Sequence, residues 1–109
     1  MPTIVLRDTS NTHIGFLMAA GDAPLSEHSQ RDVIFMALPT SNTSELARFI
    51  YEHKHKEFKA SVSQTTNGYV YAFDVTPNNA VTLQIGKAGV GIWIVHGIGQ
   101  ATCTELPTQ

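Results

Sequence analysis

Residues 58–75 read Phe-Lys-Ala-Ser-Val-Ser-Gln-Thr-Thr-Asn-Gly-Tyr-Val-Tyr-Ala-Phe-Asp-Val, and this stretch decides the fold class. Phe58, Ala60 and Val62 alternate with Lys59, Ser61 and Ser63, which gives one dry and one wet face at a period of two. Thr65-Thr66-Asn67-Gly68 reads as a hairpin turn, Asn-Gly being a strong short hairpin signal. Tyr69, Tyr71, Phe73 and Val75 then share one face, opposite Val70, Ala72 and Asp74. Two strands joined so tightly must run antiparallel, because a parallel crossover needs a dozen or more residues.

The same grammar extends in both directions. Downstream, the turn Thr76-Pro77-Asn78-Asn79 leads to the alternating Val81, Leu83 and Ile85, and Gly86-Lys87-Ala88-Gly89 turns the chain into a strand from Val90 to Ile98 that carries Trp93. Ala101 to Leu106 is expected as a short edge strand. Upstream, Thr3–Arg7 and His13–Ala20 form a predicted hairpin around Asp8-Thr9-Ser10-Asn11. A polar stretch from Ser26 to Asp32 feeds the apolar run Val33–Leu38, which Pro39 closes because it cannot donate to a ladder.

One segment has helical spacing. Asn42 is a candidate N-cap with Glu45 three residues on, and Leu46, Phe49, Ile50 and His53 fall on one face. Arg48, Glu52 and Lys56 run down another side, and the helix is expected at about residues 43–55. The predicted fold class is therefore α+β: an antiparallel sheet of about seven to eight short strands with one amphipathic helix packed on one face. Segments 14–20, 33–38 and 92–95 are apolar on both faces, as doubly covered strands are. The second sheet face is then solvated, closed into a barrel, or covered by another copy. The low charge content favours the last, so a homo-oligomer is expected.

Composition narrows the function. The chain has 109 residues, room for a single domain over 1–109, and 42% hydrophobic residues, enough for a core. Net charge is −2 and the sequence pI about 6.2, so the basic footprint of a nucleic-acid or anionic-membrane binder is missing. The single Cys103 cannot form an internal disulfide. Met1–Arg7 has no basic region ahead of an apolar stretch, and no apolar run approaches the length of a spanning helix, so no membrane association and a cytoplasmic location are expected.

Signatures of catalysis are sparse. Neither Gly-x-Ser-x-Gly nor Ser-x-x-Lys occurs, nor does Cys-x-x-Cys or His-Glu-x-x-His, so no metal and no cofactor are expected. Gly86–Gly91 lacks the order of a phosphate-binding loop and joins two strands. His53 and His55 sit at the helix end, where a two-residue spacing keeps their rings apart. The Ser26–Asp32 loop is the most polar part of the chain. Glu27, His28 and Arg31 there, with His13 at the first hairpin, are the candidate ligand-binding residues.

These residues carry no resemblance to a known family. The expected function is a non-catalytic binding module that holds a small ligand or docks on a partner protein. A competing reading is a small enzyme with His28 as general base and Glu27 or Asp32 orienting it. A third is nucleic-acid binding through Tyr69, Tyr71 and the basic helix end, which the thin basic complement disfavours.

Overall fold

Eight strands and one helix alternate along the computed structural model, which describes residues 2–21, 29–39 and 44–107. The strands are β1 (Thr3–Arg7), β2 (His13–Ala19), β3 (Ser29–Ala37), β4 (Glu57–Thr65), β5 (Gly68–Thr76), β6 (Asn79–Gly86), β7 (Val90–Val95) and β8 (Gly99–Glu105). The helix α1 (Glu45–His53) lies between β3 and β4. Each strand pairs antiparallel with its neighbour in sequence, and β8 pairs back onto β1 through Ile4↔Glu105, Val5↔Thr104 and Leu6↔Cys103. The sheet is a closed barrel in the order β1 to β8.

This overturns the α+β expectation of a sheet with a helix packed on its face. The reason is geometric. A nine-residue helix is about 14 Å long at 1.5 Å per residue, whereas eight strands laid flat span roughly 38 Å. Closure buries the inner face without a large cover and leaves no unpaired edge. Ala101–Leu106 is accordingly not an edge: β8 bonds β7 on one side and β1 on the other. Closure also removes the main argument for a second copy, since the inner face is already covered.

Alternation sorts side chains into and out of the barrel. Ile4, Leu6, Leu17, Val33, Phe35, Val62, Tyr71, Leu83, Trp93 and Cys103 point inward and are buried. A register shift between Leu6 and Arg7 leaves the Arg7 carbonyl to accept from the Trp93 indole N–H at 2.8 Å, tying β7 to β1 across the core. The β4–β5 turn falls at Thr65–Gly68, as expected. Thr65 pairs with Gly68, so Thr66 and Asn67 form the loop, and Gly68 is required by close approach: a Cβ there would lie 1.9 Å from the Ile85 carbonyl oxygen.

Helix α1 seals one end of the barrel. Its N-cap is Ser44, whose Oγ accepts from the Ala47 N–H at 3.2 Å, while Asn42 lies outside the described residues. Leu46, Phe49 and Ile50 are buried, and Ile50 seats over Gly15, where a Cβ would come within 3.1 Å of it and 2.5 Å of the Met36 carbonyl oxygen. The helix ends two residues earlier than expected, because Lys54 turns extended to bridge Phe35 and His55 adopts φ 64° with its N–H donating to the Phe35 carbonyl. Among the described residues no helix is long and apolar enough to cross a membrane.

Candidate functional site

The connections fall alternately at two ends. The turn after β1, the α1 segment, Pro77–Asn78 and His96–Ile98 lie at the closed end. The end of β2, the start of β3, Thr66–Asn67, Lys87–Gly89, the start of β1 and the end of β8 lie at the other. Strand β5 runs between them, so its inward row passes from Tyr69 through Tyr71 to Phe73.

At the closed end the row is apolar. Phe73 contacts Phe35 at 5.8 Å and Phe58 at 5.9 Å between ring centroids, and Phe35 meets the helix through Phe49 at 6.0 Å. The aromatic row is thus core, but it lines the barrel rather than lying under a helix. Asp8 tightens this end from outside the core. Its buried carboxylate accepts from the Ser10 N–H at 2.9 Å, the Ser10 hydroxyl at 2.7 Å and the Thr12 N–H at 3.0 Å.

Toward the opposite end two tyrosines join apolar core residues such as Leu17, Val62 and Ile85. Tyr69 and Tyr71 are 7% and 0% exposed with rings 5.8 Å apart, and neither buried hydroxyl makes a well-formed hydrogen bond to a described residue. Loss of solvent pushes both phenol pKa values up, and the nearby Glu105 carboxylate pushes them further; Arg31 pulls Tyr71 partly back. Tyr69 is close enough to Glu105 to feel its hydrogen-bonding pull without the geometry of a formed bond. Above them opens a cavity of about 370 Å³, lined by residues that include Gln64, Thr65, Tyr69, Lys87 and Glu105. That volume falls within the usual range for small-molecule sites.

Arg31 belongs to this end. It shares the inward phase of Val33 and Phe35, lies beside Ala60 of β4, and donates to the Ala20 carbonyl at 3.3 Å. Its neighbour Asp32 takes the opposite phase and pairs with Lys59 at 3.1 Å on the outside. Glu27 and His28 lie outside the described residues. His13 stands at the start of β2, at the closed end, with Nε2 3.0 Å from the Gly15 carbonyl oxygen and its ring edge-on to Phe16. The structure therefore separates His13 from Arg31 by the length of the barrel.

The remaining candidates have structural surroundings. His53 stacks on Phe49 at 4.7 Å, and burial, aided by Lys56, lowers its pKa. Among the described residues no group of three His, Cys, Asp or Glu side chains could hold a metal. Cys103 is buried inside the barrel, and desolvation pushes its thiol up to about 12 despite Arg7. A second depression of about 400 Å³ lies between α1 and the barrel, lined in part by Arg48, Glu52, His53 and Asn79. There Asn79 is already satisfied, accepting from Thr76 at 2.9 Å and donating to the His96 carbonyl at 3.0 Å.

Sequence reasoning passed over Glu105 as a site residue and offered Tyr69 and Tyr71 only as a stacking face for nucleic acid. Glu105 carried a signal, since it falls in phase with the buried Cys103 on one strand, and an acid on an inward phase is unusual. The tyrosines carried none, because a row of aromatics reads as core whether or not its hydroxyls find partners. Comparison of the chain with protein families, with curated proteins and with solved structures finds no match.

Proposed function

We propose that the protein is a non-catalytic binding barrel that holds a small polar molecule at the end opposite α1. One observation carries this reading: the buried Tyr69 lines a cavity with its hydroxyl in no formed hydrogen bond, and the Tyr71 hydroxyl beside it is buried in the same state. An unsatisfied buried hydroxyl costs about 1–3 kcal/mol, so a protein that keeps two gains from whatever fills their bonds. Eight strands leave an interior wide enough for side chains or one small ligand; here side chains fill the barrel, and the cavity lies at its rim opposite α1.

The test is native mass spectrometry on gently purified protein, wild type beside Tyr69→Phe/Tyr71→Phe. The expected result is extra mass on the wild type that the double variant loses. Identical spectra, with identical melting temperatures, would remove the reading.

A second reading has its own support. The outward residues Phe16, Met18, Ile34 and Met36 of β2 and β3 are partly exposed, as are Ile92 and Ile94 of β7, where Val90 is 59% exposed, so two apolar patches flank the polar outer side of β8. The outer side of β4 and β5 carries Lys59, Ser61, Ser63 and Asp74 instead. Two copies pairing over these patches would realise the homo-oligomer. Sedimentation of Ile92→Lys beside wild type tests it: equal masses at all concentrations argue against association through this face.

A further inference from the structure

The rim cavity is lined where the inward rows of three strands run out. Gln64 continues the row of Ala60 and Val62 on β4, Tyr69 opens that of β5, and Glu105 follows Cys103 on β8. Thr65 and Thr66 add hydroxyls from the β4–β5 turn, and Lys87 adds an ammonium from the β6–β7 turn. Gly86 lines the same space with bare backbone, although neither φ nor crowding demands glycine there. A Cβ would meet nothing nearer than the Val90 carbonyl oxygen, at 3.4 Å.

Exposure decides which of these groups selects a ligand. Lys87 is exposed and Glu105 half-buried, so solvent screens both charges, and over the lining they sum to zero. The Tyr69 hydroxyl is the buried polar group of the lining, and it stands in no formed hydrogen bond, so a ligand group that meets it recovers the most. Beside it lies the Glu105 carboxylate, which only accepts. A group serving both must accept from the phenol and donate to the carboxylate. An ammonium only donates and an anion only accepts, whereas an alcohol does both. Gln64, Thr65 and Thr66 also donate and accept, which suits further hydroxyls on neighbouring carbons.

We infer that the ligand is a small neutral polyol of monosaccharide size, with one hydroxyl accepting from Tyr69 and donating to Glu105 and adjacent hydroxyls on Gln64 and Thr65. This rests on the proposed reading of the rim as a ligand site. The volume of about 370 Å³, near the lower bound of roughly 300 Å³ for small-molecule sites, suits a single sugar ring.

The experiment is titration of the wild-type chain with glucose, galactose, mannose, ribose and myo-inositol, read by saturation-transfer NMR and calorimetry, then with monodeoxy analogues of each that binds. At least one polyol should bind. Loss of one particular hydroxyl should weaken it roughly tenfold, the scale of one hydrogen bond to a charged group. Tyr69→Phe should weaken the parent by a similar factor and leave the analogue lacking that hydroxyl unchanged, a coupling that a general loss of structure does not produce. Glu105→Gln, which keeps shape and removes charge, should act through the same hydroxyl. Polyol binding that ignores Tyr69→Phe overturns the inference. If glycine, putrescine or inorganic phosphate binds in a Tyr69-dependent manner while polyols do not, the polyol is overturned and the ligand site stands. If nothing binds and Tyr69→Phe/Tyr71→Phe matches wild type in mass and melting, both fall.

Discussion

The two ends of this barrel are built from the same inward alternation and finished in opposite ways. On β5, three consecutive inward side chains, Tyr69, Tyr71 and Phe73, cross from one end to the other. At Phe73 the ring meets Phe35 and Phe58, and α1 closes behind them. Tyr69 and Tyr71 are as well buried, but Glu105 lies near both hydroxyls, Arg31 near that of Tyr71, and Tyr69 lines a cavity. Among the described residues, no buried side-chain polar atom at the closed end lacks a hydrogen-bond partner. The other retains buried polar atoms without described partners, which is how a binding site differs from a core when both exclude water.

The largest effect should come from the closed end. Phe35→Ala removes a ring that touches the helix and two strands, and should cost about 3–5 kcal/mol in urea denaturation. A cost below about 1 kcal/mol would mean that the helix end is not where stability resides. Next comes Asp8→Ala, which strands three donors in the β1–β2 turn and should cost about 2–3 kcal/mol by the same measurement.

High pH probes the polar end. Tyr69, Tyr71 and Cys103 all ionise less readily folded than unfolded, because burial opposes their anions. Their stabilisation is complete below the unfolded values, near 9 for the thiol and 10 for the phenols, and is lost as pH climbs above them. The melting temperature should therefore fall from about pH 9 upward, and the fall should be shallower in Tyr69→Phe/Tyr71→Phe. Equal slopes would show that the buried phenols do not govern alkaline unfolding.

At neutral pH, Tyr71→Phe should leave the unliganded protein unchanged or up to about 1 kcal/mol more stable, since it removes an unpaired hydroxyl from the interior. A clear destabilisation would reveal a partner for that hydroxyl and dissolve the contrast between the ends. The smallest effect is at the exit from α1. His55 holds φ 64°, and His55→Gly should stabilise by a few tenths to about 1 kcal/mol in thermal melts.

Much of the architecture was readable as pattern. Period-two alternation located the strands around Phe58–Val75, and apolar spacing at 46, 49 and 50 located the helix, because both signals arise within a few residues. The turn at 65–68 was legible, but the reason for glycine at 68 was not: it lies in closeness to Ile85, a contact between strands that local reading does not register. Of the candidate site, Arg31 reached the polar mouth and His13 the far end, since strand direction, not polarity, assigns a residue to an end.

What the chain alone determined was the order of elements and the two-sided apolar character of its strands, both consequences of local spacing. Whether that character meant a helix across the sheet, a second copy or closure depended on β8 meeting β1, a pairing between residues about a hundred positions apart that no short window contains. The same closure brought Arg31, Tyr71 and Glu105 around one space. Tertiary structure alone decided that two aromatic core positions would also carry unpartnered hydroxyls, because a hydroxyl's partners are set by what the fold places opposite it.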